Sequence, residues 1–375
     1  MTRRRKSRWD WSAKATRVGE LLPIVRLHPA VLAWAGQRRK AEVWGVAFSG
    51  GADSLALLLL LRAHFPQRKL VAWHFNHRLR GRAADADERF CRSACTALGV
   101  SLRVGRWNRV GRALRPTVGR KARPTVSEAE SRFARHGFFA KEMKRLHTKA
   151  LWLAHQQDDI AETMLMRLAR GSGTGGLAAP RPVQMMGDGR VHLRPLLPMK
   201  KSQLVAALKQ AGVRWREDAS NAGSDHFRNR VRAQVLPAWI KAAGRDALAG
   251  AALSRELLEE DDVALELWAD AILRPDRAGA VGAQSCCVPV SGRSKTAPLR
   301  RRRTLDVAAL AGLPRAVTRR ILHRWLLAVR PETDLSRQGF NQLLAAVERG
   351  RDTRFSLGAN GFAVVRRGQL KFRGA

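Results

Sequence analysis

The chain has 375 residues, 45% of them hydrophobic, enough for two domains and too apolar for a disordered chain. Lysine and arginine total 70 against 31 acidic residues, a formal net charge of +39, which points to a polyanionic partner, nucleic acid first. A coding bias toward Arg, Ala and Gly is the competing explanation, and Cys91, Cys95, Cys286 and Cys287 form no CxxC pair, which excludes a disulfide framework and fits a reducing cytoplasm.

Residues 1–40 read as a basic N-terminal extension with one helix around Pro29–Arg38. Arg17, Glu20, Arg26 and His28 interrupt any apolar run there, so no secretory signal is expected. Val43–Phe48 reads as a strand and Leu55–Leu61 as an apolar helix far too short to span a bilayer. Then come a strand at Leu70–Phe75, a helix at Asp85–Leu98 and a strand at Ser101–Trp107. Cys91 and Cys95, four apart, fit simple packing of that helix. A basic loop, Arg109–Pro124, precedes a helix at Ser127–Leu146 with Ser127 as N-cap. A strand at Ala150–Ala154, a helix at Asp158–Arg170, a strand at His192–Leu196 and a helix at Ser202–Ala211 complete the pattern. Alternating β and α with short links implies an α/β domain over 41–227, a parallel sheet covered on both faces, with ligands at the carboxyl ends of its strands.

After about residue 228 the strands stop, and 228–375 reads as a mainly helical domain. Asn229–Ala243, Asp246–Leu273, Pro314–Val329 and Ser336–Arg349 read as helices, and residues 275–303, with Arg300–Arg303, as a disordered insertion. Thr353–Phe372 alternates like a β-hairpin, with Gly358-Ala359-Asn360-Gly361 as its turn.

Five blocks carry chemistry. Ser49-Gly50-Gly51-Ala52-Asp53-Ser54 sits between strand and helix, where backbone N–H groups build a phosphate pocket. Its glycines permit positive φ and close approach of an anion, its serines add hydroxyls, and Asp53 can hold Mg²⁺. The Walker pattern, which needs a Lys after the last glycine, is absent from this hexapeptide. His74–Gly81, rich in His, Asn and Arg, lines a nucleotide pocket or forms a solvated turn. In His155–Thr163, Asp159 and Glu162 share a helical face beside His155, suited to a metal, to a cationic amine or to helix capping. Arg167–Leu177 is a Gly-rich loop that clamps phosphate or caps its helix. Trp215–Asn221 with Phe227–Arg232 suits RNA phosphates and base edges, or a solvated helix end.

In this order the blocks resemble the tRNA(Ile)-lysidine synthetase family of the PP-loop ATP pyrophosphatase superfamily: Ser-Gly-Gly-x-Asp-Ser, His-x-Asn-His-x-Leu-Arg, His-x-x-Asp-Asp-x-x-Glu-Thr, Arg-Gly-Ser-Gly-x-x-Gly-Leu, Trp-x-x-Asp-x-Ser-Asn and Arg-Asn-x-x-Arg. The resemblance covers about residues 43–240 and continues as a helix pattern to the end. Where the family has Ala-Arg-x-x-Arg-Tyr, this chain keeps Arg132 and Arg135 but has Ser131 and His136. The loop 108–125 looks inserted, and the chain stops before the further β-domain of longer members.

The resemblance implies ligation of lysine to C2 of the wobble cytidine of a CAU-anticodon tRNA(Ile), through an adenylated cytidine, in the cytoplasm. ATP and Mg²⁺ are the expected cofactors, and a monomer or homodimer away from membranes is the expected form. Ser49, Gly50, Gly51, Ala52, Asp53, Ser54 and His74 are expected to bind ATP, with Mg²⁺ on Asp53. Asp53, Asp159 and Glu162 are the expected catalytic residues; His155 joins Asp159 and Glu162 in holding lysine. Arg132, Arg135, Arg170, Arg228, Asn229 and Arg232 are expected to contact tRNA or phosphate. A cytidine thiolase of the same superfamily would need paired cysteines. A non-catalytic RNA-binding relative would show damage at Asp53, Asp159 or Glu162, and all three stand. An amidotransferase-linked ligase is disfavoured by the basic charge and the lack of a glutaminase domain.

Overall fold

A computed structural model describes residues 10–39, 41–78, 81–107, 128–217, 227–273, 304–329, 335–358 and 361–374. The expected loop Arg109–Pro124, the cap Ser127, residues Asp218–Asn221 and the segment 275–303 with Cys286 and Cys287 lie outside the described residues. The chain divides into two compact units, Met1–Leu257 and Leu258–Ala375, with the division inside a helix, Ala247–Leu273.

In the first unit the elements are α1 (Trp11–Leu21), α2 (Pro29–Gly36), β1 (Val43–Ala47), α3 (Ala52–His64), β2 (Lys69–Asn76), α4 (Arg82–Ala97), β3 (Ser101–Arg106), α5 (Glu128–Arg145) and β4 (Ala150–Trp152). They continue through α6 (Gln157–Leu168), α7 (Thr174–Leu177), β5 (Val183–Met185), β6 (Val191–Leu193), α8 (Lys201–Gln210), α9 (Phe227–Arg230), a π-helical turn at Val231–Val235, α10 (Leu236–Ala242) and the start of α11 (Ala247–Leu273). The six strands run β3-β2-β1-β4-β6-β5; the first five are mutually parallel and β5 is an antiparallel edge. The expected parallel sheet is therefore present, with one edge strand that sequence alone did not mark. At three residues, β5 is too short for any alternation to reveal it.

Helix α3 fixes how the sheet is covered. Leu55 through Leu61 are all fully buried, so the helix needs apolar partners all round. The sheet supplies one side; α1 and α8 supply others. Residues of the N-terminal segment therefore take part in this core. Asp10 caps α1 by accepting from Ser12 N at 3.0 Å, and Trp11, Ala15, Val18 and Leu22 enter the same core as α3. A Cβ on Gly19 would lie 2.7 Å from Ala63 Cβ, so the missing side chain lets α1 and α3 approach closely. Helix α2, begun by Pro29, adds Val31 and Trp34 to that core, and Trp44 and Trp152 meet there with centroids 4.4 Å apart. Cys91 and Cys95 are buried in it and unbonded, as helix packing requires. On the opposite face, Trp73 and Leu151 pack against Phe139 and Met143 of α5.

In the second unit β7 (Thr304–Asp306), α12 (Arg315–Val329), α13 (Arg337–Arg349), β8 (Thr353–Ser356), β9 (Phe362–Arg366) and β10 (Gln369–Arg373) follow. The strands do not stop at 228: the expected hairpin region is an antiparallel sheet of order β7-β10-β9-β8. Its first strand, three residues beside an arginine run, pairs with a partner far along the chain, which local pattern cannot show. Ile321, Leu322, Leu343, Val365 and Leu370 form the core there. Arg320 pairs with Asp262 and Glu266, and Arg324 with Glu266 and Asp270, tying α12 to the end of α11. Among the described residues no helix is long and apolar enough to cross a membrane.

Gly45 in β1 faces the Trp73 ring, and a Cβ there would sit 2.1 Å from it. Gly45→Val is expected to cost at least about 2 kcal/mol by displacing that indole, read as a lower urea midpoint at unchanged m-value.

Candidate active site

The loop after β1 is held by its own hydroxyls. Ser54 Oγ donates to Gly51 O at 3.1 Å and accepts from Ser49 N at 3.2 Å, and Ser49 Oγ lies 3.0 Å from Ser54 Oγ. Gly50 has φ +89°, and a Cβ there would press Cys91 Sγ at 3.1 Å, so glycine is required on both counts. Arg216 N donates to Gly50 O at 3.0 Å while its Nε donates to Asp87 Oδ1 at 2.7 Å, pinning the loop from a distant segment. Gly51 caps α3 without a side chain, which leaves the first amides of the helix facing the strand ends.

Asp53 stands in the first turn of α3. Its Oδ1 is buried with no hydrogen-bond partner among the described residues. Burial pushes the carboxyl up to about 6, with Asp159 adding to the effect and Lys201 and Arg232 opposing it. A lone carboxylate beside a phosphate-type loop fits Mg²⁺, which takes one or two carboxylates and fills its shell with phosphate and water. His74, 5% exposed, has Nδ1 3.0 Å from Phe48 O and a buried Nε2 without partner, and burial lowers its pKa.

At the start of α6 a capping box fixes Asp159: Gln156 N donates to its Oδ2 at 3.0 Å, while Asp158 N donates to Gln156 Oε1 at 2.6 Å. Asp159 Oδ1 accepts from Arg228 at 2.5 Å. Glu162, 1% exposed, accepts from Arg228 Nε at 2.9 Å and from Arg232 Nε and a terminal nitrogen at 2.6 and 2.9 Å. The two expected amine-binding carboxylates and two of the expected RNA-binding arginines are therefore joined to each other. Sequence spacing put Asp159 and Glu162 on one helical face but could not show what faced them. At the end of β4, His155 Nδ1 accepts from Arg194 Nε at 3.1 Å, and burial together with Arg194 holds this imidazole well below its usual range.

These groups open on one cavity of about 620 Å³ at the carboxyl ends of the parallel strands. Ser49, Gly51, Asp53, Ser54 and His74 line it, together with Arg132, Arg135, His155, Asp159, Arg228, Asn229 and Arg232. Four expected site residues stand outside its lining. Gly50 belongs to the loop and Ala52 begins α3, but neither lines the cavity; Glu162 is buried next to Asp159 on α6, and Arg170 is exposed past the end of α6. Gly171, at φ +66°, ends that helix, in line with the capping reading of the Gly-rich loop. His136, Arg194 and Arg216 line the cavity and escaped sequence reasoning as site residues. For Arg194 the signal was available, since it directly follows a strand whose carboxyl end faces the crevice.

Two outcomes follow from the electrostatics. The folded Asp53 carboxyl titrates at about 6 against an ordinary 3.8, so its contribution to stability is complete below about pH 4 and is lost as pH rises through 6. Without nucleotide or Mg²⁺, Asp53→Asn is expected to be more stable than the parent at pH 7.5, by up to about 3 kcal/mol, with the gap closing toward pH 4 in thermal melts. Glu162→Gln leaves two guanidiniums to share the single Asp159 carboxylate and is expected to cost about 3 kcal/mol in urea unfolding.

A family model described as a PP-loop domain matches residues 27–239, and one described as a TilS substrate binding domain matches residues 305–370. The chain is 35% identical over 240 residues to a tRNA(Ile)-lysidine synthase of Geobacter sulfurreducens, covering 64% of this chain and 49% of the relative. It is 41% identical over 230 residues to that of Xanthomonas campestris pv. campestris, covering 59% and 49%, and 34% identical over 222 residues to that of Bacillus subtilis, covering 59% and 45%. The chain spans about half the length of these curated relatives. With the PP-loop match extending over more than half of its residues, and the corresponding loop closing a crevice at the strand ends, the chain belongs to the PP-loop family.

Proposed function

We propose that the chain ligates lysine to C2 of the wobble cytidine of a tRNA(Ile) with anticodon CAU, using ATP, so that the tRNA reads AUA in place of AUG. The observation that carries this reading is a single cavity joining a phosphate-type loop, through the partnerless Asp53 oxygen, to the Asp159 carboxylate. The relatives' names and the charge of +39 support a tRNA substrate.

The loop Ser49–Ser54 receives the ATP phosphates, with His74 beside the nucleotide. Mg²⁺ held by Asp53 would screen phosphate charge in the transition state. The cytosine C2 oxygen bonds to the α-phosphorus and pyrophosphate leaves toward the amides of the loop. This step turns a poor leaving group into a phosphate ester. The lysine ε-nitrogen then bonds to C2, the C2–O bond breaks, and AMP departs with the oxygen. Asp159, with Glu162 behind it and His155 near it, attracts the ammonium, and Asp159 accepts the proton it must lose. Arg228 exchanges its carboxylate for an RNA phosphate as the substrate docks, which frees Asp159 Oδ1 for the amine. Arg132, Arg135, Asn229 and Arg232 steady the anticodon loop, and Arg170 meets RNA outside the cavity.

The test is incubation with ATP, Mg²⁺, labelled lysine and an unmodified CAU isoleucine transcript, with elongator methionine tRNA as control. Label is expected in the isoleucine transcript alone; RNA that stays unlabelled, with both tRNAs behaving identically, overturns the reading. Asp53→Ala is expected to lower pyrophosphate release by about a thousandfold. Asp159→Ala is expected to retain pyrophosphate release and lose lysine transfer.

A further inference from the structure

Arg194 is a buried cation without a counter-charge among the described residues. It is 5% exposed, follows β6 and lines the cavity. Three of the five N–H donors of an arginine are spent, on His155 Nδ1 at 3.1 Å, Arg181 O at 2.6 Å and Gln184 Oε1 at 2.9 Å. All three acceptors are neutral, and among the described residues Arg194 forms no ion pair. One N–H remains on each terminal nitrogen, the fork that grips a carboxylate or phosphate.

The surroundings are of one sign. Burial and then Arg132 lower the Arg194 pKa to about 10, which leaves it charged at neutral pH. His136 and His192, with rings 5.8 Å apart, are held at about 4 by burial and the neighbouring arginines, so they are neutral. His192 Nε2 is buried without a hydrogen-bond partner among the described residues. Asp53 and Asp159 lie elsewhere on the same cavity wall. The cavity lining thus carries carboxylates that are paired with arginines and one cation that forms no ion pair among the described residues, with neutral His155 touching that cation and Asp159 four residues further along the chain.

We infer that Arg194 seats the α-carboxylate of the amino acid substrate, opposite the carboxylate that receives its ε-ammonium. This rests on the lysine-ligation reading and adds the recognition of the other end of lysine. A phosphate would satisfy the same fork, but the phosphate-type loop follows β1, two strands away in the order β1-β4-β6, on the order of 10 Å. A simple diamine has the reacting amine but would bring a second positive charge to Arg194, so the same residue rejects it.

The experiment compares lysine, lysinamide and 1,5-diaminopentane as amine donors to the CAU transcript. With the unaltered protein, kcat/KM for lysine is expected to exceed that for either analogue by at least about tenfold, the worth of one charge-assisted pair. Arg194→Gln and Arg194→Lys are each expected to raise the KM for lysine by about tenfold or more and to narrow the preference for lysine over lysinamide, with the Kd for ATP unmoved. Equal use of lysine and lysinamide by the unaltered protein overturns the inference, even if the Arg194 variants fail to fold. Variants that keep the KM for lysine and weaken ATP binding overturn it too, and assign the fork to phosphate. Incorporation of none of the three amines, with pyrophosphate release intact, instead overturns the ligation reading on which it rests.

Discussion

Burial of helix α3 on every side is the constraint from which the first unit follows. A helix whose seven consecutive residues Leu55–Leu61 are all at zero exposure cannot stop at a sheet face. It requires a second layer, and α1 and α8 provide it. Once clamped, the helix has a fixed start. Its first turn, with Gly51 and Asp53, is held at the carboxyl edge of β1, and the loop hydroxyls need only close a short gap. The geometry of the candidate phosphate site is thus set by hydrophobic packing well away from it.

Electrostatic asymmetry is the second theme. Near Asp159 the protein concentrates carboxylates and balances them with Arg228 and Arg232; Arg194, by contrast, forms no ion pair among the described residues. Buried charges of either sign are costly unless compensated. The first group is compensated internally and therefore contributes to holding α9 and the π-helical turn against α6. A cavity that carries charges of both signs favours a ligand with separated charges over one that is uniformly anionic or cationic.

The motif blocks and most of the helices and strands of the parallel sheet were legible in the sequence, because strand, tight turn and helix alternate there with strong periodicity. What escaped were elements whose evidence is not local. Strands β5 and β7 have three residues each and exist through their partners. Helix α1 carries its apolar stripe at Trp11, Ala15 and Val18 between exposed polar and charged residues such as Thr16, Arg17 and Glu20, in a segment whose charge suggests an extension. In the site, residue types and their nearness to strand ends were legible, and pairing was not. Nothing in the spacing of Asp159 and Glu162 announces that Arg228, from a later helix, occupies both.

The capping box on α6 has a consequence for direction. Asp159 commits Oδ2 to the Gln156 amide and turns Oδ1 toward the cavity. Oδ2 is committed to the backbone of its own helix, whereas the partner of Oδ1 is a side chain, so Oδ1 is the oxygen free to exchange partners. The helix terminus therefore acts as an orienting jig: it decides which lone pair is offered to a ligand, and it does so without yielding its own hydrogen bond when that ligand leaves.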